Sequence, residues 1–196
     1  MISLVFASAN AHKVAELRQL MADLPIELLS LSDINWSTDI PETADTLEGN
    51  AYLKAKTIAD NTQMACFADD TGLEVEALGG RPGVYSARYA GEPTNSDKNR
   101  QKLLQEMAGK INRRARFRTS ICLIMNGKTH YFEGEVLGEI LQQEQGEGGF
   151  GYDALFRPDG YTHSFAAMDP ALKNSISHRG RAVQKMLSGL SELLLR

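Results

Sequence analysis

The first thirty residues constrain the fold most. Residues 2–8 place Ile2, Leu4, Val5 and Phe6 in one short apolar run, the pattern of a buried strand. A helix follows over about 11–23, where Val14, Leu17, Leu20 and Met21 recur at helical spacing and Pro25 stops it. "IELLSL" (26–31) is a second strand. The same alternation, with mixed connections, continues along the chain and predicts an α/β fold.

The later segments read in the same way. Residues 32–45 are a polar loop around Pro41, and a helix over 46–60 carries Leu47, Ala51, Leu53, Ala55 and Ile58 on its apolar side. "MACFADD" (64–70) is a short buried strand ending in two carboxylates, and 71–91 is a glycine-rich loop with a short helical piece. A helix over 95–107 is capped by Asn95 or Ser96. Residues 114–127 and 129–141 form a hairpin joined near Asn126-Gly127. Residues 146–156 are a second glycine-rich loop that runs into a strand, and the last helix covers 178–195, with Ser175 or Ser177 as its cap.

A chain of 196 residues, 42% of them hydrophobic, can bury a core as one large domain or two small lobes. Its net charge of −4 speaks against a general nucleic-acid binder, leaving a small polyanion held by a few cations. Cys66 and Cys122 are too few for a disulfide framework and lie in apolar runs, as buried thiols of a reducing cytosol do. "MISLVFASAN" has no basic leader, and no apolar run approaches the roughly 18 residues of a membrane span. The chain is expected in the cytoplasm, with neither membrane nor nucleic acid as partner.

Five stretches carry chemistry. In "SANAHK" (8–13) a strand turns straight into a helix, presenting backbone N–H groups and the positive end of a helix dipole to an anion. Ser8 and Asn10 add polar contacts and Lys13 a full charge; the same residues also read as an ordinary N-cap with a solvated lysine. The phosphate-binding pattern GxxxxGK[ST] does not occur. In "FADDTGL" (67–73) Asp69 and Asp70 point to opposite faces of their strand. One can serve Mg²⁺ and take a proton from water, or the pair can simply end the strand in an Asx-turn. "PETADTLEGNA" (41–51) offers Glu42, Glu48 and Asn50, acids and amide that alone would be surface.

"GGFGYD" (148–153) sets Phe150 and Tyr152 among glycines that let backbone approach a ligand closely, or that make a turn with core aromatics. "KNSISHRGRA" (173–182) crowds Lys173, His178, Arg179 and Arg181 at a helix start, where the dipole disfavours cations. That placement suits an acceptor-rich ligand; otherwise these are surface charges and His178 is a core residue. Arg114, Arg116 and Arg118 alternate with Ala115, Phe117 and Thr119, the pattern of a half-exposed strand rather than a nucleic-acid arm.

Together these stretches resemble the family of non-canonical purine nucleoside triphosphate pyrophosphatases, the inosine and xanthosine triphosphatases. "SANAHK" matches the family's [ST]-x-N-x-x-K, "ADDTGLEVEALGGRPGVYSARYAG" its longest signature, and "GEGGFGYDALF" and "SISHRG" its last two, in order over nearly the whole chain. Ala154 stands where the family usually has Pro, and "ETADTLEGNA" replaces a segment closer to "ETGxTFxENA", with Glu42 and Asn50 kept.

The resemblance implies a single domain over 1–196, an elongated mixed α/β sheet with two lobes around a central substrate cleft. It implies Mg²⁺-dependent hydrolysis of inosine, deoxyinosine or xanthosine triphosphate to the monophosphate and pyrophosphate, by a homodimer. Ser8, Asn10 and Lys13 would then hold the triphosphate. Glu42 and Asp70 would serve the metal, with Asp70 also the proton acceptor, supported by Asp69. Thr71 would touch substrate. Phe150, Gly151, Tyr152 and Asp153 would shape the base and sugar pocket, while Lys173, His178 and Arg179 reach base or phosphates. A nucleotide-binding regulator that no longer hydrolyses would lack the acids; Glu42, Asp69 and Asp70 are all present. The late motifs also argue against the short septum-linked nucleotide pyrophosphatases.

Overall fold

Strand β1 (Ile2–Phe6) lies between two parallel partners. On one side is β2 (Ile26–Ser30), with Ile2 opposite Ile26 and Phe6 opposite Ser30. On the other is β3 (Cys66–Val75), with Val5 opposite Cys66. Parallel neighbours need crossovers, and helices α1 (Ala11–Leu20) and α2 (Leu47–Thr62) occupy the intervening chain. The computed structural model describes the backbone of residues 2–194 and the side chains of 2–191.

The remaining elements are β4 (Pro82–Gly83), α3 (Ser96–Glu106), β5 (Arg114–Met125), β6 (Lys128–Ile140), β7 (Phe156–Pro158), α4 (Pro170–Ile176) and α5 (His178–Leu194). Strand order is β2-β1-β3-β5-β6-β7, with β4 antiparallel to β3 and β7 antiparallel to β6. The sheet is therefore mixed and the fold α/β. Asn126 and Gly127 turn β5 into β6 with φ of 52° and 71°, the left-handed pair a type I′ hairpin requires.

The chain folds as two compact units. The first comprises the chain up to Asp70, Thr119–Gly134 and everything from Gly180 on. Leu4 and Phe6 pack with Leu17 and Met21 of α1 and with Val183, Met186 and Leu190 of α5. Val5 and Ala7 point the other way, to Ala51, Ala55 and Ile58 of α2. With both faces covered, β1 reads as a continuous apolar run. Burying side chains such as Phe6 or Leu17 contributes about 1.5–3 kcal/mol each. Cys66 and Cys122 are unbridged in the second of these cores, where burial pushes both thiols up, that of Cys122 to about 11.

The second unit comprises Thr71–Arg118 and Glu135–Arg179. Leu73, Leu103, Phe117, Phe156 and Phe165 fill its core, with the Phe117 and Phe156 rings edge to face at 4.7 Å. The arginines of β5 point outward to carboxylates: Arg114 to Asp159, and Arg116 and Arg118 to Glu74.

Several boundaries differ from the sequence-based expectation. β3 does not end at Asp70 but runs to Val75, because Gly72 is a strand residue. A Cβ there would stand 2.7 Å from the carbonyl oxygen of Gly83, which β4 brings alongside. The C-terminal stretch holds two helices: Asp169 caps α4 with Pro170 at its first position, and extended Ser177 separates α4 from α5. Ser175 lies inside α4 and bonds the Leu172 carbonyl, so it caps nothing. β1 ends at Phe6 and α1 at Leu20, each short of its predicted limit. Residue 195, the predicted end of the last helix, lies outside the described residues.

Candidate active site

In the first unit the turn after β1 is built by two side chains. Asn10 caps α1, its Oδ1 accepting from His12 N at 3.0 Å and Lys13 N at 3.2 Å, and Ser8 Oγ accepts from Asn10 N at 3.2 Å. Lys13 does not point to solvent. Its ammonium lies 2.9 Å from Asp69 Oδ1, with the two side chains 13% and 1% exposed.

Because β3 runs on, the two aspartates are mid-strand rather than terminal. Successive side chains face opposite ways, so Asp69 meets Lys13 of α1 while Asp70 meets α2. Lys54 of α2 bridges two acids: its Nζ is 2.6 Å from Glu42 Oε1 and 3.2 Å from Asp70 Oδ1. Asn50 donates to Asp70 Oδ2 at 3.3 Å and accepts from Ala44 N at 2.9 Å, which ties the Glu42 loop to the helix. Ala44 and Gly49, the departures in this segment, fit each other: a Cβ on Gly49 would stand 2.6 Å from the Ala44 methyl.

The cluster holds more negative than positive charge. Burial, assisted by Glu42 and Asp69, pushes Asp70 above the usual carboxylate range despite Lys54 and Lys13. Burial pulls Lys54 down, but Asp70, Glu42 and Asp69 outweigh it and hold the ammonium above its ordinary value. Among the described residues no three His, Cys, Asp or Glu side chains converge as a metal cage. Glu42 and Asp70 are hard oxygen donors already sharing one cation. They fit Mg²⁺, which takes one or two protein carboxylates and completes its shell with water and substrate phosphates.

Lys54 is absent from the residues singled out by sequence. Its signal lay in the helical period: Asn50, Ala51, Lys54, Ala55 and Ile58 share the buried face of α2. A lysine on an apolar stripe needs carboxylate partners.

In the second unit the glycine-rich loop folds around Asp153. Its buried Oδ2 accepts from Phe150 N at 2.8 Å and from Lys173 Nζ at 2.8 Å. Phe150 is half-buried, and Lys173 and Arg179 lie 5.2 and 5.5 Å from its ring centroid. Arg179, itself buried, donates to Thr71 Oγ1 at 3.3 Å. The His178 ring stacks on Phe117 at 4.6 Å. Gly151 has φ of 62° and its carbonyl accepts from Arg100 at 3.0 Å.

Two expectations change here. Tyr152 presents no open ring face; it is 4% exposed in the core, with its hydroxyl donating to the Ser86 carbonyl at 2.8 Å. Lys173 is in the last turn of α4, where the dipole favours a cation, so only His178, Arg179 and Arg181 stand at the start of α5. Of the residues singled out, the first unit joins Lys13 to Asp69 and Glu42 to Asp70 through Lys54. The second gathers Asp153, Lys173 and Arg179 around Phe150.

The chain is similar to known proteins over nearly its whole length. The chain is 50% identical over 190 residues to a dITP/XTP pyrophosphatase of Flavobacterium johnsoniae, covering 97% of this chain and 98% of that one. It is 51% identical over 187 residues to the protein of the same name from Porphyromonas gingivalis, covering 95% and 96%. The solved HAM1 protein of Coxiella burnetii superposes with a TM-score of 0.89 at 36% identity, covering 98% of this chain and all of that one. With the family model matching residues 4–189, the chain belongs to the Ham1 family.

Proposed function

We propose that this protein hydrolyses 6-oxo purine nucleoside triphosphates, those of inosine, deoxyinosine and xanthosine, to the monophosphate and pyrophosphate with Mg²⁺. The observation that carries the reading is the Glu42–Lys54–Asp70 bridge, two carboxylates, one buried and one half-buried, sharing one ammonium. Relatives named dITP/XTP pyrophosphatase at 50% and 51% identity support it. Glu42 and Asp70 would hold Mg²⁺, which supplies charge neutralisation and polarisation of the phosphates.

Asp70 does the proton chemistry. Burial raises its affinity for a proton, so the carboxylate is a stronger base than an exposed one. Water's oxygen bonds to phosphorus at the α–β linkage, the bridging P–O bond breaks, pyrophosphate leaves with the electron pair, and Asp70 takes the proton. Lys13 reaches the triphosphate with Ser8, and Asp69 holds the Lys13 ammonium in place. Asn10 serves chiefly by capping α1 beneath them.

Recognition of the base belongs to the second unit. Lys173, His178 and Arg179 offer N–H donors, and lysine and arginine have no acceptor. A 6-oxo group accepts such bonds, whereas the 6-amino group of adenine would set donor against donor. Thr71 contacts substrate and Phe150 stacks on the ring. Gly151, Asp153 and Tyr152 hold the loop, Tyr152 from within the core. The working form in this reading is a cytoplasmic homodimer, twofold symmetry being the commonest closed assembly. Light scattering reads its mass against the 21.6 kDa chain.

The test is incubation with inosine triphosphate and Mg²⁺, with pyrophosphate measured separately from orthophosphate, beside adenosine triphosphate. Pyrophosphate release with kcat/KM favouring inosine triphosphate by roughly 10²-fold or more is expected. Orthophosphate alone, or equal kcat/KM for the two, overturns the reading.

A further inference from the structure

We propose that Arg100, on α3, is a positioning residue that fixes the Phe150 loop and so sets affinity for the purine. The inference rests on the reading of Phe150 given above.

One guanidinium ties three points. Arg100 Nη1 donates to the Gly151 carbonyl at 3.0 Å, Nη2 to Asp97 Oδ1 at 2.6 Å, and Nε lies 2.9 Å from Glu144 Oε1. The side chain is only 17% exposed. Two of these contacts are hydrogen bonds and the third is an ion-pair contact; a guanidinium is a rigid planar fork, so the two bonds fix its plane. Asp97, three residues earlier on the same helix, holds that plane against α3. The other two contacts then fix the loop with respect to the helix.

The segment so fixed is rich in glycine. Glu144 precedes the glycine run and Gly151 lies within it, so both ends of 144–151 meet one group. Between them, Gly146 and Gly149 take φ of 83° and 69°, and Gly151 itself 62°. Glycine's conformational breadth makes such a run costly to order. Phe150 sits between two ties: Asp153 holds its N–H, and Arg100 holds the carbonyl of the next residue. The three partners given for Arg100 all belong to the second unit, so its loss is expected to act on binding rather than on the chemical step.

The test compares Arg100→Ala, Arg100→Lys and Glu144→Gln with wild type, using inosine triphosphate and Mg²⁺. Arg100→Ala is expected to raise KM roughly tenfold, the loss of a charge-assisted hydrogen bond, with kcat within about twofold of wild type. Arg100→Lys keeps the charge without the fork and is expected to stay close to Arg100→Ala. Added guanidinium at millimolar concentration restores KM in the alanine variant only. Glu144→Gln, which removes a single tie at a half-exposed carboxylate, raises KM less and serves if the arginine variants do not fold. Amide hydrogen exchange provides a readout without catalysis: residues 145–151 exchange faster in Arg100→Ala and α2 does not. Unchanged KM and unchanged exchange in a folded variant, a wild-type KM in Arg100→Lys, or no response to guanidinium overturns the proposal. A wild-type protein that releases no pyrophosphate refutes the functional reading instead, and the exchange experiment then still decides whether Arg100 holds the loop.

Discussion

Each unit buries a lysine–aspartate pair, and the two pairs are nearly alike in isolation. Lys54–Asp70 is 3.2 Å long with side chains 8% and 11% exposed; Lys173–Asp153 is 2.8 Å long at 8% and 6%. Their surroundings are opposite. Around Lys54 the carboxylates Glu42, Asp69 and Asp70 outnumber the ammonium groups of Lys54 and Lys13. Asp153 instead meets Lys173 and the Phe150 N–H, and Arg179 lies 5.5 Å from the Phe150 ring centroid. A buried ion pair says little about function until its neighbours are counted. In the proposed reading these surroundings suit different ligands: a cation in the first case, a hydrogen-bond acceptor in the second.

The comparison breaks most decisively at Asp70. Asp70→Asn keeps the shape and removes both the charge and the proton acceptor, so kcat for inosine triphosphate falls on the order of a hundredfold or more. Its melting temperature is expected to stay level or rise, because a carboxylate that burial disfavours is removed while Lys54 retains Glu42. Near-wild-type turnover would remove Asp70 from the chemistry.

The same substitution in the other pair has the opposite signature. Asp153→Asn removes the carboxylate that the buried Lys173 ammonium meets at 2.8 Å, and breaking such a pair costs about 3–5 kcal/mol. Calorimetry on the two asparagine variants reads the contrast directly. A loss of stability in Asp70→Asn as large as that in Asp153→Asn would mean the two pairs are equivalent after all.

Much of this contrast was legible in sequence. The turn at Asn10, the Asn95 cap and the Asn126-Gly127 hairpin are set by residues within a few positions of each other. The chemistry-bearing stretches were likewise visible, because short polar runs interrupt apolar ones there. What stayed hidden depends on distant neighbours. Gly72 reads as a turn unless Gly83 is known to lie against it. Tyr152 reads equally as ligand face or core until Ser86 is found at its hydroxyl. Lys54 falls on the apolar stripe of α2, but nothing in the spacing names Glu42 and Asp70 as its partners. The Asp169-Pro170 start of α4 is local and was readable; the cation-rich run after it drew attention to α5 alone.

Arg179 sharpens the second half of the comparison. If donors in excess select the 6-oxo group, Arg179→Ala lowers the ratio of kcat/KM for inosine over adenosine triphosphate by roughly tenfold or more. Its loss also removes the cation 5.5 Å from the Phe150 ring and the bond to Thr71, so affinity falls for both substrates. A ratio unchanged in this variant would move selectivity to Lys173 or His178.

The smallest effect expected is on pH dependence, and its sign follows from Asp70. Burial raises its native value above the ordinary 3.8, so between those two values the folded protein binds more protons than the unfolded chain. Stability contributed by this group therefore falls as pH rises through that window, and its ionised form is a burden to the fold above it. Asp70→Asn removes the burden. The difference in melting temperature between variant and wild type, measured in a chelator, should be largest at neutral pH and close as pH drops into the window. A gap in melting temperature that widens on acidification would mean that Asp70 is stabilised as the anion. The carboxylate surplus around Lys54 would then already be satisfied without a second cation.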